Sequence, residues 1–105
     1  MTGRLEHLNV TVADPDALVV LLCRLFDWKV RWQGEAIYGA KSIHVGNDRD
    51  YIAVYAGKPD TPLADAIDSH ATRNGLNHIA IVVNDLEETE QIGRASCRDR
   101  VCMLV

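Results

Sequence analysis

The chain has no apolar run approaching the ~20 residues that a helical bilayer span takes. Its start, Met1-Thr2-Gly3-Arg4-Leu5-Glu6-His7, lacks the basic-then-apolar layout of a secretory leader. These two absences lead us to expect a cytoplasmic protein with no membrane partner. Clustered Lys and Arg are missing too, and the formal net charge is −4. Nucleic acid, which is held largely through neutralised phosphates, is therefore not the expected partner. Cysteine is scarce: Cys23, Cys97 and Cys102 have no metal-type spacing. An odd count in a reducing compartment gives no disulfide framework. Cys23 falls on an apolar stripe and reads as a small core residue. What remains is ordinary for a globular protein, 48% hydrophobic and 25% charged over 105 residues, enough for one small domain or a piece of one.

One sentence is written twice. "GRLEHLNVTVAD" opens the chain and "GLNHIAIVVND" returns late, at an offset of 71 residues. Leu5 then meets Leu76, His7 meets His78, Val12 meets Val83 and Asp14 meets Asp85. Both copies alternate. Leu8, Val10 and Val12 oppose His7, Asn9 and Thr11, and Ile79, Ile81 and Val83 oppose His78, Ala80 and Val82. A period of two means a strand with one face on a core, and each histidine lies on the other face.

Each strand runs into a helix start. Asp14 supplies an N-cap and Pro15 suits the first helical position. Leu18, Leu21, Leu22 and Leu25 follow at helical spacing, widened by Val19 and Phe26. Asp85 with Glu88 has capping-box spacing. Between the copies lie three strand candidates, 28–33, 40–45 and 51–55, with a turn at Gly46-Asn47-Asp48 before the last. Residues 1–56 thus form a first strand–helix–strand–strand–strand unit. Residues 57–75 form a linker, in which 62–73 could make a short helix. Residues 76–91 begin a second unit with a strand and a helix start.

The repeat carries an expectation about length, because a second full unit would run well past Val105. The second helix loses its stripe after Gln91, and the remaining residues show neither helical nor strand period while holding two of the three cysteines. The segment "IGRASCRDRVC" resembles the translation of a common short-read sequencing adapter, departing at Asp99 where the adapter gives Glu. The expectation is a non-native tail over 92–105 and a second unit missing its last three strands. A natural Arg-rich extension is the alternative. A strand without sheet neighbours exposes unpaired backbone groups, so a homodimer or swapped assembly is also expected. Light scattering on a sized column reads it out.

The paired "LEHLNVTVADPD" and "GLNHIAIVVNDLE" starts and the βαβββ order resemble the vicinal oxygen chelate superfamily, which includes glyoxalase I, bleomycin-resistance proteins and extradiol dioxygenases. The resemblance covers about residues 4–91. It implies an α+β fold, a glyoxalase-like βαβββ module with a complete first unit and a truncated second unit, the two sheets curving around a shared cleft. It also implies metal ligands on the first and fourth strands of each unit. Carried over, His7 and His78 match the first-strand ligands. Ala53 stands at the fourth-strand position where glyoxalase I-like members have glutamate, and alanine binds no metal. The second unit's fourth-strand carboxylate would lie in the missing part.

The largest set an intact parent could offer is therefore His, His and one carboxylate, the facial arrangement of non-haem Fe(II) oxygenases. An extradiol dioxygenase-like enzyme, with Fe(II) or with Mn, Zn or Ni, is favoured over an isomerase that needs a carboxylate beside the metal. In the chain as given, two neutral imidazoles leave an ion short of ligands and charge, so no tightly bound metal and no activity are expected. The alternative is a metal-free module that binds a small molecule, as bleomycin-resistance proteins do. Asn9, Thr11, His44, Tyr51 and Tyr55 are candidate cleft residues, weighed against a merely half-wet sheet surface. Trp28 and Trp32 share a face with Val30 in an ideal strand and read as packing residues.

Overall fold

A strand pattern becomes a strand only when its backbone groups find a ladder, and four of the five candidate stretches do. The structure is a computed structural model describing residues 1–64, 68, 70–71, 73–74 and 76–96, the last two by backbone alone. It divides into two units, Met1–Thr61 and Pro62–Val105.

The first unit runs β1 (His7–Thr11), α1 (Pro15–Phe26), β2 (Lys29–Glu35), a 3-10 turn (Ile37–Gly39), β3 (Lys41–Gly46) and β4 (Tyr51–Tyr55). The sheet order is β1-β4-β3-β2. β1 lies parallel to β4, and the other two pairings are antiparallel. This is the expected complete βαβββ unit.

α1 begins where Asp14 accepts the Ala17 amide at 3.1 Å, with Pro15 in the first turn, and it ends at Asp27 in the left-handed conformation. A non-glycine residue tolerates that region best when it is Asn or Asp. The helix presents Leu18, Leu21, Leu22 and Leu25 to one sheet face, where Ile43, Val45, Ile52 and Val54 are buried. Val45 and Val54 are fully sealed, at 0% exposure. Each such side chain contributes about 1.5–3 kcal/mol by leaving water. Lys41 Nζ reaches both Asp16 carboxylate oxygens, at 2.8 and 3.0 Å, tying the helix to β3. Both partners are largely exposed, so the tie is worth at most about 1 kcal/mol.

The β3–β4 turn is held by Asn47, whose Oδ1 accepts from the Arg49 and Asp50 amides at 2.8 and 3.1 Å. At Gly46 a Cβ would collide with the Asp50 carbonyl and with Tyr51, so the chain can close here only on glycine.

In the second unit, α2 spans Leu86–Ser96, and Asp85 Oδ1 accepts the Glu88 amide at 2.9 Å, as its cap spacing leads one to expect. Two expectations change. The helix does not stop at Gln91, where its apolar stripe fades, because i,i+4 backbone bonding does not depend on that stripe. Residues 76–83 form no strand, for they have no ladder among the described residues. Their alternation survives in burial: Ile79, Ile81 and Val83 are half-buried while His78, Ala80 and Val82 are exposed. Within 62–73 the described residues form no helix, and the rest of that stretch lies outside the described residues, as do 97–105 with Cys97 and Cys102.

Candidate functional site

α1 covers one face of the sheet, and the ladder register states which side chains share the other. His7 pairs with Tyr51, Asn9 with Ala53 and Thr11 with Tyr55 across β1 and β4. Ala53 pairs with His44, and Tyr55 with Ser42, across β4 and β3. Directly paired residues point the same way, so His7, Asn9, Thr11, His44, Tyr51 and Tyr55 occupy one open face, as their alternation implies.

β2 breaks that simple rule. Val30 pairs with Val45 but Trp32 pairs with His44, leaving Arg31 as the extra residue of a β-bulge. The bulge reverses the phase of the pleat, so Trp32 leaves the face of Val30 and joins the open one. The expectation that Trp32 packs on the same face as Val30 is corrected accordingly. Trp28 precedes the strand and rests against Phe26, ring centroids 5.2 Å apart.

The result is a row of rings across all four strands. Trp32 meets His44 at 4.8 Å, His44 meets Tyr51 at 4.6 Å, and Tyr51 meets His7 at 4.8 Å. His7 and His44 approach to 6.5 Å. Ala53, on the strand between them and 4% exposed, contributes only a methyl group there. Gly34 plays the same part beside Trp32, since a Cβ on Gly34 would fall 2.6 Å from the indole ring. The small residues are what let the large ones settle on the sheet.

Two charged residues finish the cluster. Glu6 Oε1 accepts from His7 Nδ1 at 2.9 Å and from the Tyr51 hydroxyl at 3.4 Å. In the neutral ring a carboxylate partner favours the proton on Nδ1, which leaves the Nε2 lone pair of His7 for a ligand. The guanidinium of Arg31 lies over the Tyr51 ring, its Cζ 4.6 Å from the centroid. The His7 hydrogen bond, chiefly, holds the Glu6 carboxyl below its usual range. Burial, reinforced by the Glu6 charge, raises the Tyr51 phenol.

His44 titrates below the ordinary histidine value of 6.5, first because of burial and then because of His7 and Arg31, with Glu6 opposing. Just below 6.5 the folded chain therefore binds fewer protons than the unfolded chain. His44 contributes stability in full above that value, and the contribution is lost as the pH falls through the folded value. Urea unfolding of the native chain between pH 7 and 5 is expected to show a midpoint that drops with acid. His44→Asn should flatten that slope, and an unchanged slope would contradict the assignment.

The remaining expected residues differ in what they can still do. The Tyr55 hydroxyl donates to the Ile37 carbonyl at 2.6 Å, so it anchors the 3-10 turn and is not free for a ligand. Asn9 and Thr11 are exposed on β1, with no side-chain hydrogen bond among the described residues. His78 belongs to the second unit and is exposed. Among the described residues no three His, Cys, Asp or Glu side chains converge as a metal site. The first unit supplies one well-oriented nitrogen, His7 Nε2, and the fourth-strand position supplies none.

Glu6, Arg31 and Trp32 belong to the face without having been expected there. Glu6 has a signal in the sequence, its place beside His7 just ahead of the strand, where the pleat no longer dictates direction. A bulge leaves no mark in a hydrophobic pattern, so Arg31 and Trp32 have none.

The family model for Glyoxalase, described as Glyoxalase/Bleomycin resistance protein/Dioxygenase superfamily, matches residues 4–92. No curated protein matches the chain.

Proposed function

The chain belongs to the Glyoxalase/Bleomycin resistance protein/Dioxygenase superfamily, and from that premise we propose that its open sheet face binds a small planar molecule. The observation that carries this is the row Trp32–His44–Tyr51–His7, neighbouring centroids 4.6–4.8 Å apart, on the face that α1 does not cover. Binding sites combine apolar and aromatic surface with a few fixed polar groups. Here His7 Nε2, Asn9 and Thr11 are those groups, and Glu6 fixes the His7 ring. The side chains of the first unit bind and orient the ligand; they do not by themselves assemble a metal site.

A second reading has its own observation. The Glu6–His7 hydrogen bond is the arrangement that commonly orients a metal-ligating histidine. On that reading His7 would be the first unit's ligand to a divalent ion. The ion would contribute Lewis acidity toward a substrate with two adjacent oxygens.

Calorimetric titration with small planar acids and amides, run with and without excess EDTA, separates the two. The metal-free reading expects binding unaffected by EDTA and weakened up to about tenfold by Trp32→Ala, since one aromatic contact contributes roughly 0.5–1.5 kcal/mol. Binding abolished by EDTA and by His7→Ala would favour the metal reading. Binding insensitive to Trp32→Ala would contradict the ring face as the site.

A further inference from the structure

We infer that the ligand of this face carries a carboxylate, held by Arg31 beside the rings of Trp32 and His44; this rests on the small-molecule reading above. Arg31 is the extra residue of the β2 bulge, so the pleat commits it to neither a core partner nor a ladder partner. Its side chain reaches from β2 across β3 to Tyr51 on β4.

The other charged groups of the face are already engaged by direct contacts, and Glu6 acts on Arg31 only through space. Lys29, brought to the same face by its pairing with Gly46, contacts Asp48 at 3.2 Å. The Glu6 carboxylate is engaged by His7 and Tyr51. Arg31 makes no hydrogen bond or ion pair among the described residues; its guanidinium lies over the Tyr51 ring and feels Glu6 and His44 only through space. A guanidinium lying against an aromatic ring keeps its in-plane N–H groups directed outward, in the fork that matches a carboxylate.

Trp32, next in the chain and 46% exposed, supplies apolar ring surface within reach of that cation. An anion joined directly to a planar ring meets both demands at once, with its ring against Trp32 and His44 and its carboxylate on Arg31. A neutral planar molecule would satisfy only the first.

Benzoate, salicylate and indole-3-carboxylate, each beside its primary amide, are the probes, titrated calorimetrically into the full chain. At least one acid is expected to bind about tenfold more tightly than its amide, as a charge-assisted hydrogen-bond pair warrants. Arg31→Gln should bring that acid to the affinity of the amide, and Arg31→Lys should fall between. Arg31 is exposed, so an unchanged circular dichroism spectrum is expected for both variants. Trp32→Ala should weaken acid and amide alike. Equal binding of acid and amide to the native chain, or a preference that survives Arg31→Gln, overturns the carboxylate assignment and leaves the ring-face reading standing. Failure of every acid and every amide to bind overturns both.

Discussion

Ala53→Glu is expected to give the first unit a nickel site that the described residues of the native chain do not assemble. Position 53 lies on β4 between β1 and β3, paired with Asn9 and His44, and His7 sits beside it on β1. A carboxylate there adds a donor of opposite charge to two imidazoles whose centroids are 6.5 Å apart, and imidazole with carboxylate suits a first-row ion. Without metal the variant should be less stable than the native chain by a few kcal/mol, because the site is nearly closed to water and a buried carboxylate is costly. At nickel concentrations a hundredfold above the dissociation constant, binding returns about 2.7 kcal/mol. For a domain of this size that raises the thermal midpoint by roughly 10–20 °C. His7→Ala in the same background should cancel the rise. If 1 mM nickel shifts the native chain and the variant equally, position 53 is not where a carboxylate would complete the site.

Gly46→Val should cost more than any surface substitution in the molecule. The added Cβ meets the Asp50 carbonyl and the Tyr51 backbone, which cannot rotate away as a side chain could. Forced overpacking of this kind typically costs up to about 3 kcal/mol, a large share of the stability of a small unit. At that upper figure the thermal midpoint is expected to fall by about 12–24 °C. The effect should also reach the site, since the residue displaced, Tyr51, touches His7, His44 and Arg31. Gly34→Ala is the informative contrast. Its nearest obstacle is the indole of Trp32, a side chain, so it should disturb ligand binding more than stability. A Gly46→Val chain that melts within a few degrees of the native one would contradict the account of the turn.

Much of the first unit is legible in its residues because its periods are clean. Leu8, Val10 and Val12 against His7, Asn9 and Thr11 state both the strand and its two faces. Asp14 and Pro15 state where the helix starts, and Leu18, Leu21, Leu22 and Leu25 state which side it buries. The β3 and β4 candidates fall within a residue of the observed strands for the same reason. The pattern at 76–83 is just as clean and still makes no strand, because alternation describes which faces a segment could present while a ladder needs a second segment. The site is harder to read than the fold. Its His and Tyr members follow from alternation, but the bulge at Arg31 turns Trp32 to the other face without altering the composition of β2. Glu6 lies outside the ladder that would fix its direction. Ala53 and Gly34 matter for their small size, which becomes visible only once the neighbouring strands are in register.

The central claim is that ligand meets the sheet on the face opposite α1. Two-dimensional NMR of the full chain, titrated with salicylate and recorded for indole, imidazole and methyl protons, tests it most directly. The account predicts progressive shifts for the Trp32 indole and for the His7 and His44 ring protons, with the methyl groups of Leu18, Leu22 and Val54 unmoved. Shifts confined to those core methyls, or rings on the open face that stay still while ligand binds, would contradict it.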